Sequence, residues 1–258
     1  MAEETPLAQD LVDRRLVRAF FIASITYLMV AVTAGFLFSL QFFGHYPFKN
    51  IEIFSPGRLR MVHTNLVAYG FIMNAFLGGM FWALPRLTGI KIQSPKLSWV
   101  VFGLLQVSMI CTWFGIPLGY AQGVEWGETP KFIDPVVVVA WALLCVNVVP
   151  SILKSKEKNL YVTLWYMSAA FAWTALTYIM GNWLPEYVVP GPGGAALTGL
   201  FIHDLVGLFV TPFGWGLMYY FVPVITKKPV WSHAMSLIGF WGLAFFYPMN
   251  GVHHFMYS

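Results

Sequence analysis

An all-α bundle of about seven transmembrane helices is the fold this sequence predicts, on three observations. Apolar residues make up 58% of the chain, while Asp, Glu, Lys and Arg make up only 10%, far from the balance of a soluble domain. The apolar residues come in long continuous blocks, and about 20 such residues cross a bilayer as a helix. The blocks do not alternate in short segments as barrel strands do. In lipid the backbone must bond to itself, so continuous apolar runs mean helices.

The spans follow in order. Span I is Leu16–Phe43, too long for a cleavable signal and followed by no small-residue cleavage site, so it is expected to stay as an anchor. Span II is Met61–Pro85 and span III Leu97–Tyr120. The loop Ala121–Phe132 is long enough to fold over a site. Spans IV and V are Ile133–Leu153 and Tyr161–Trp183. The Gly/Pro-rich segment Pro185–Ala195 is a second long loop. Span VI is Ala196–Ile225 and span VII Trp231–Tyr257. The loops are short and hold Pro, Gly and charge. No repeat with a period of about 20–50 residues interrupts the series. Residues 1–258 therefore read as a single membrane domain, in contact with lipid and not with nucleic acid.

Orientation follows from the basic residues. With the N-terminus inside, the inner segments hold Arg14, Arg15, Arg18, Arg86, Lys91, Lys96, Lys154, Lys156, Lys158, Lys227 and Lys228, eleven in all. The outer segments hold Lys49, Arg58, Arg60 and Lys131, four in all. The formal charge of +4 thus reports orientation.

Four of the six histidines are at membrane depth: His63 in span II, His203 in span VI, and His253 and His254 in span VII. An ionisable side chain there is costly and normally functional. His63 falls in the first turn of its span. His203 is about 10 Å deep and His254 about 5 Å deep at 1.5 Å per residue. All four lie in the outer third, although the orientation used no histidine. Adjacent histidines on an α-helix point about 100° apart, and both rings reach one ion lying beyond the helix and between them. Three neutral imidazoles suit copper, zinc or iron. The alternative is a set of bundle histidines bonded across helices. His45 and His233 read as structural or interfacial. Cys111 and Cys145, inside spans III and IV, read as buried packing residues, and no CxxCH motif marks a covalently attached haem.

The run Gly57-Arg58-Leu59-Arg60-Met61-Val62-His63-Thr64-Asn65 resembles the start of the second helix in cbb-type cytochrome c oxidases, the C family of haem–copper oxygen reductases. His203-Asp204-Leu205-Val206-Gly207-Leu208-Phe209-Val210-Thr211 and the following Met218-Tyr219-Tyr220-Phe221-Val222-Pro223 are similar to its sixth helix. Tyr247-Pro248-Met249-Asn250-Gly251-Val252-His253-His254 is similar to its seventh. The similarity covers essentially the whole chain.

The resemblance implies roles. His63 would be an axial ligand of a low-spin haem b, with Arg58 and Arg60 near its propionates. His203, His253 and His254 would hold the active-site copper, CuB. Tyr247 would be covalently linked to His203 and supply an electron and a proton when the dioxygen bond breaks. Glu125 resembles a family glutamate associated with a calcium ion, and Ser236, eleven residues before Tyr247, resembles part of the inward proton path. In nitric oxide reductases a glutamate stands one turn after the helix VI histidine; here that position is Gly207, which suits copper over harder iron. Asp204 stands where cbb-type enzymes commonly have Asn.

The family's catalytic subunit continues into further helices that carry the second ligand of the low-spin haem and the only protein ligand of a high-spin haem b. The implied function is therefore half of a catalytic core. The chain would work with a second membrane chain and c-type cytochrome subunits in a bacterial cytoplasmic membrane, reducing dioxygen to water with protons taken from inside. A split subunit is the expected explanation and a partial chain the other. The alternative functions are a nitric oxide reductase-type subunit and a non-catalytic membrane scaffold.

Overall fold

The computed structural model describes residues 11–156 and 159–257. Lys158, one of the inner basic residues, lies outside them. Every regular element among the described residues is helical. Seven rods follow the seven spans: α1 Arg14–Phe43, α2 Pro56–Thr88, α3 Pro95–Gly115, α4 Lys131–Leu153, α5 over 162–187, α6 Pro192–Thr226 and α7 His233–Asn250, continued by a 3₁₀ turn at Gly251–Tyr257. Five of them, α1 to α4 and α6, are long and apolar enough to cross a membrane by length and composition alone. The chain is a multi-pass, all-α transmembrane protein.

Helix starts differ from the apolar blocks, and the reason is local chemistry. Pro56, Pro95 and Pro192 each open a helix, where the missing N–H costs nothing and φ is already helical. Ser94 adds an N-cap, its hydroxyl accepting from Leu97 N at 3.2 Å. The polar first turns therefore precede the apolar stretch. One consequence is a correction: His63 is not in the first turn of its helix but seven residues beyond Pro56, about 10 Å along the axis. A second is that Pro185 and Glu186 are still helical and Pro192 begins α6, so the segment 185–195 is mostly helix rather than a long loop. Gly191, at φ +76°, makes the turn.

The chain divides into two compact units, one built from Arg14–Gly78 with Ser94–Asn147, the other from Gly79–Gln93 with the chain from Val148 onward. In the first, α1 lies close against α2 because Gly70 and Gly78 leave room for Tyr27 and Phe20. Tyr27, Ala31, Leu59, Val62, Leu66 and Met109 form its core. Asn147 ties α4 to α3, accepting from Ser94 N at 2.8 Å and donating to Ser98 Oγ at 2.8 Å. In the second unit, Gly216 of α6 sits against Tyr166 of α5, and Thr163 donates to the Gly216 carbonyl at 2.7 Å. Val162, Tyr166, Phe240 and Leu243 are its aromatic and aliphatic centre. Cys111 and Cys145 are free and only half-buried, less enclosed than the sequence suggested.

Three π-helical stretches interrupt the rods: Leu66–Met73 in α2, Ile179–Trp183 in α5 and Leu205–Val210 in α6. A π-turn leaves carbonyls out of the usual ladder and often marks a functional site. Two of the three begin within a turn of His63 and His203.

Candidate functional site

His63 is fixed by three features of the first unit. Its Nδ1 is 2.8 Å from the Ala31 carbonyl of α1. A carbonyl only accepts, so Nδ1 carries the hydrogen and Nε2 keeps a lone pair in the neutral ring. Gly35 supplies the space: a Cβ there would lie 2.5 Å from His63 Nδ1. The π-segment that follows is held by side chains, with Asn74 donating to the carbonyls of Tyr69 (3.1 Å) and Gly70 (2.8 Å) and Ser24 donating to that of Phe71 (2.9 Å). A histidine whose second nitrogen is bonded to a carbonyl is oriented for a metal, so His63 fits an axial haem ligand.

The loop 121–130 brings charge to the same stretch of α2, at Arg60 and Asn65. Arg58 donates to the Pro117 carbonyl at 2.7 Å and pairs with Glu52. Arg60 pairs with Glu125 at 3.2 Å and stands 3.9 Å from Glu128. Glu128 is the residue the sequence reading missed. It is only 2% exposed, and its Oε2 accepts from Asn65 Nδ2 at 2.6 Å. Burial raises its carboxyl above the ordinary value, against the opposing Asn65 amide and Arg60 charge. Tyr69 secures the same loop by donating to the Trp126 carbonyl at 2.5 Å. Loops have no period to betray a buried carboxylate. The one available signal was proximity in sequence: Glu128 is three residues from Glu125. Glu125 itself is half-exposed and committed to a cation, a charge that opposes calcium, so the geometry lends that ion no support.

The other three histidines come together in the second unit. His203, His253 and His254 each offer a ring nitrogen, and these atoms lie within 4.8 Å of one another. Ligand nitrogens about 2.0 Å from a tetrahedral ion are about 3.4 Å apart, so small ring rotations close the set. His253 and His254 sit on the 3₁₀ turn, not on the α-helix expected for them. Their residues are then about 120° apart in place of about 100°, and their ring centroids are 4.3 Å apart. Gly251 permits the close approach to α6, since a Cβ there would lie 2.9 Å from His203 Cδ2.

The second nitrogens again meet carbonyls. His203 Nε2 is 2.9 Å from the Tyr247 carbonyl and His253 Nδ1 bonds to that of Asn250. The same argument leaves His203 Nδ1 and His253 Nε2 with lone pairs that could bind a metal. The donor set fits copper. Tyr247 lies beside it, its ring centroid 4.4 Å from that of His203. Ser236, Phe240 and Leu243 are the buried residues of α7, and Tyr247 packs against the same cluster, so the predicted shared face is present. His203 is 9% and Asp204 4% exposed, and Asp204 Oδ1 has no hydrogen-bond partner among the described residues. His45 and His233 are exposed and belong to neither site.

Residues 15–258 match the family described as Cytochrome C and Quinol oxidase polypeptide I. The chain belongs to this family. It is 28% identical to the Cbb3-type cytochrome c oxidase subunit CcoN1 of Stutzerimonas stutzeri over 95% of its length and 53% of the relative's. It is 28% identical to cytochrome c oxidase subunit 1 of Rhodobacter capsulatus, over 100% of this chain and 51% of that one. A cytochrome c oxidase subunit 1 homolog of Agrobacterium tumefaciens is 30% identical over 92% of this chain and 45% of its own. This member of the polypeptide I family thus spans about half the length of the curated relatives it matches.

Proposed function

We propose that the chain forms the first half of the catalytic core of a cbb-type cytochrome c oxidase that reduces dioxygen to water. The observation that carries the reading is the convergence of His203, His253 and His254 within 4.8 Å beside Tyr247. The name of the Stutzerimonas stutzeri relative supports the cbb type. His63 would hold the low-spin haem b, with Arg58 and Arg60 facing its propionates, and the three histidines would hold CuB. When bound, haem and copper supply the electron-transfer chemistry. The chain's own contribution is orientation and protons. The Ala31, Tyr247 and Asn250 carbonyls fix the ring tautomers. Tyr247 holds a phenolic proton next to His203, and Ser236 lies on the same α7 face toward the inner end, where protons enter.

His253 is exposed, and an exposed imidazole at membrane depth is costly. A further membrane segment covers it in this reading, carrying the high-spin haem b ligand and the second low-spin haem ligand. Electrons arrive from c-type cytochrome subunits on the outer side of a bacterial cytoplasmic membrane. Nitric oxide reduction would call for a carboxylate among the metal ligands, and neither Gly207 nor Asp204 is in the convergent set. The scaffold reading predicts no metal. The test is purification of the complex through a tag on this chain, with mass spectrometry of the partners and quantification of copper and haem. Haem b and one copper per chain, with the later helices present, is the expected result; a complex devoid of both contradicts the proposal.

A further inference from the structure

We propose that Gly207 of α6 is the positioning residue that allows Tyr247 of α7 to stand beside His203, so that the site holds either the tyrosine ring or a side chain at 207, never both. Built on the Gly207 backbone, a Cβ would overlap the Tyr247 ring at Cδ1 and Cε1. Backbone conformation does not require glycine here, because the positive-φ glycines of the described chain are Gly44, Gly89, Gly119 and Gly191. Glycine inside a helix is less stable than alanine, so the close approach of the tyrosine is the physical reason left for it.

Neither side can give way without losing the site. Tyr247 is held at its carbonyl by His203 Nε2 at 2.9 Å, and its ring is in contact with the His203 ring. Turning the ring aside takes the phenol away from His203 or drives it into the packed Tyr166, Phe240 and Leu243. On the other side, Gly207 is inside the π-segment Leu205–Val210, whose Val206 carbonyl is fixed by Thr211 Oγ1 at 2.9 Å. The same overlap excludes a carboxylate at 207: a ligand reaching for the metal from this position would take the volume of the phenol. One residue thus links the nitrogen-only ligand set to the presence of the tyrosine. The catalytic part of this inference rests on the role proposed for Tyr247; the steric part stands without it.

The experiment is a double-mutant cycle in the complete complex purified from membranes, with Gly207→Ala, Tyr247→Ala and the double variant. Gly207→Ala is expected to lower the Tm by about 5 °C and oxidase turnover to the level of Tyr247→Ala, with copper retained. In the Tyr247→Ala background, Gly207→Ala is expected to have no further effect on either quantity. If Gly207→Ala alone does not accumulate, accumulation of the double variant supports the proposal and its absence overturns it. A Gly207→Ala complex as stable and active as the wild type overturns it, as does an equal loss in both backgrounds. Should Tyr247→Ala keep full turnover, the role proposed for Tyr247 fails, while the Tm cycle still decides the steric claim.

Discussion

The two units build their histidines by one local plan and then surround them differently. In each, a helical histidine precedes a π-segment whose carbonyls are held by nearby side chains, Asn74 and Ser24 in one and Thr211 in the other. In each, a glycine makes the room, Gly35 for the His63 ring and Gly251 for that of His203. In each, the second ring nitrogen meets a backbone carbonyl. The surroundings then diverge. The start of α2, ahead of His63, carries Arg58 and Arg60, which pair with Glu52 and with Glu125 and Glu128. Beside the three-histidine set stand Tyr247 and the buried carboxylate Asp204. Shared backbone devices thus fix the direction of a histidine ring in both units, while the charged groups nearby differ.

The comparison breaks most readily at the glycines. Gly35→Leu is expected to displace the His63 ring and abolish the low-spin haem spectrum, with copper content unchanged. Gly35→Ala gives the same spectral change in part and a stability loss of about 1–3 kcal/mol, the usual range for overpacking. Absorption spectra of the reduced complex check this, and an unaltered spectrum in both variants would remove Gly35 from the account.

A smaller effect is expected at Glu128. Its carboxyl is raised by burial, so the fold favours the neutral acid. Stability from this group is full below the ordinary carboxylate value and is lost as pH rises through the raised value. Glu128→Gln keeps the neutral form at every pH. Thermal unfolding of the two proteins should coincide in acid, with the variant more stable on the alkaline side of the raised value. A variant less stable at alkaline pH would mean that the ionised Glu128–Arg60 contact outweighs burial.

Much of this was legible beforehand. Seven apolar blocks give seven helices, since in lipid the backbone has no alternative. Depth grouped His203, His253 and His254, and the family resemblance put Tyr247 beside them; the ring nitrogens of the three histidines lie within 4.8 Å of one another and the Tyr247 ring centroid 4.4 Å from that of His203. The 3₁₀ turn under His253 and His254 was not legible, because α and 3₁₀ winding share the same residue preferences over so short a stretch. The π-segments add one residue to a turn and leave no compositional mark. Pro56 hid the true start of α2, since its first turn is polar. Glu128 was hard to read because its hydrogen-bond partner, Asn65, is 63 residues away in sequence.

The most direct test of two separate ligand sites on one chain is the metal and haem content of paired variants of the complex. His63→Ala should lose the low-spin haem spectrum and keep copper, whereas His253→Ala should lose copper and keep that spectrum. Loss of both from either variant, or of neither, would contradict the account.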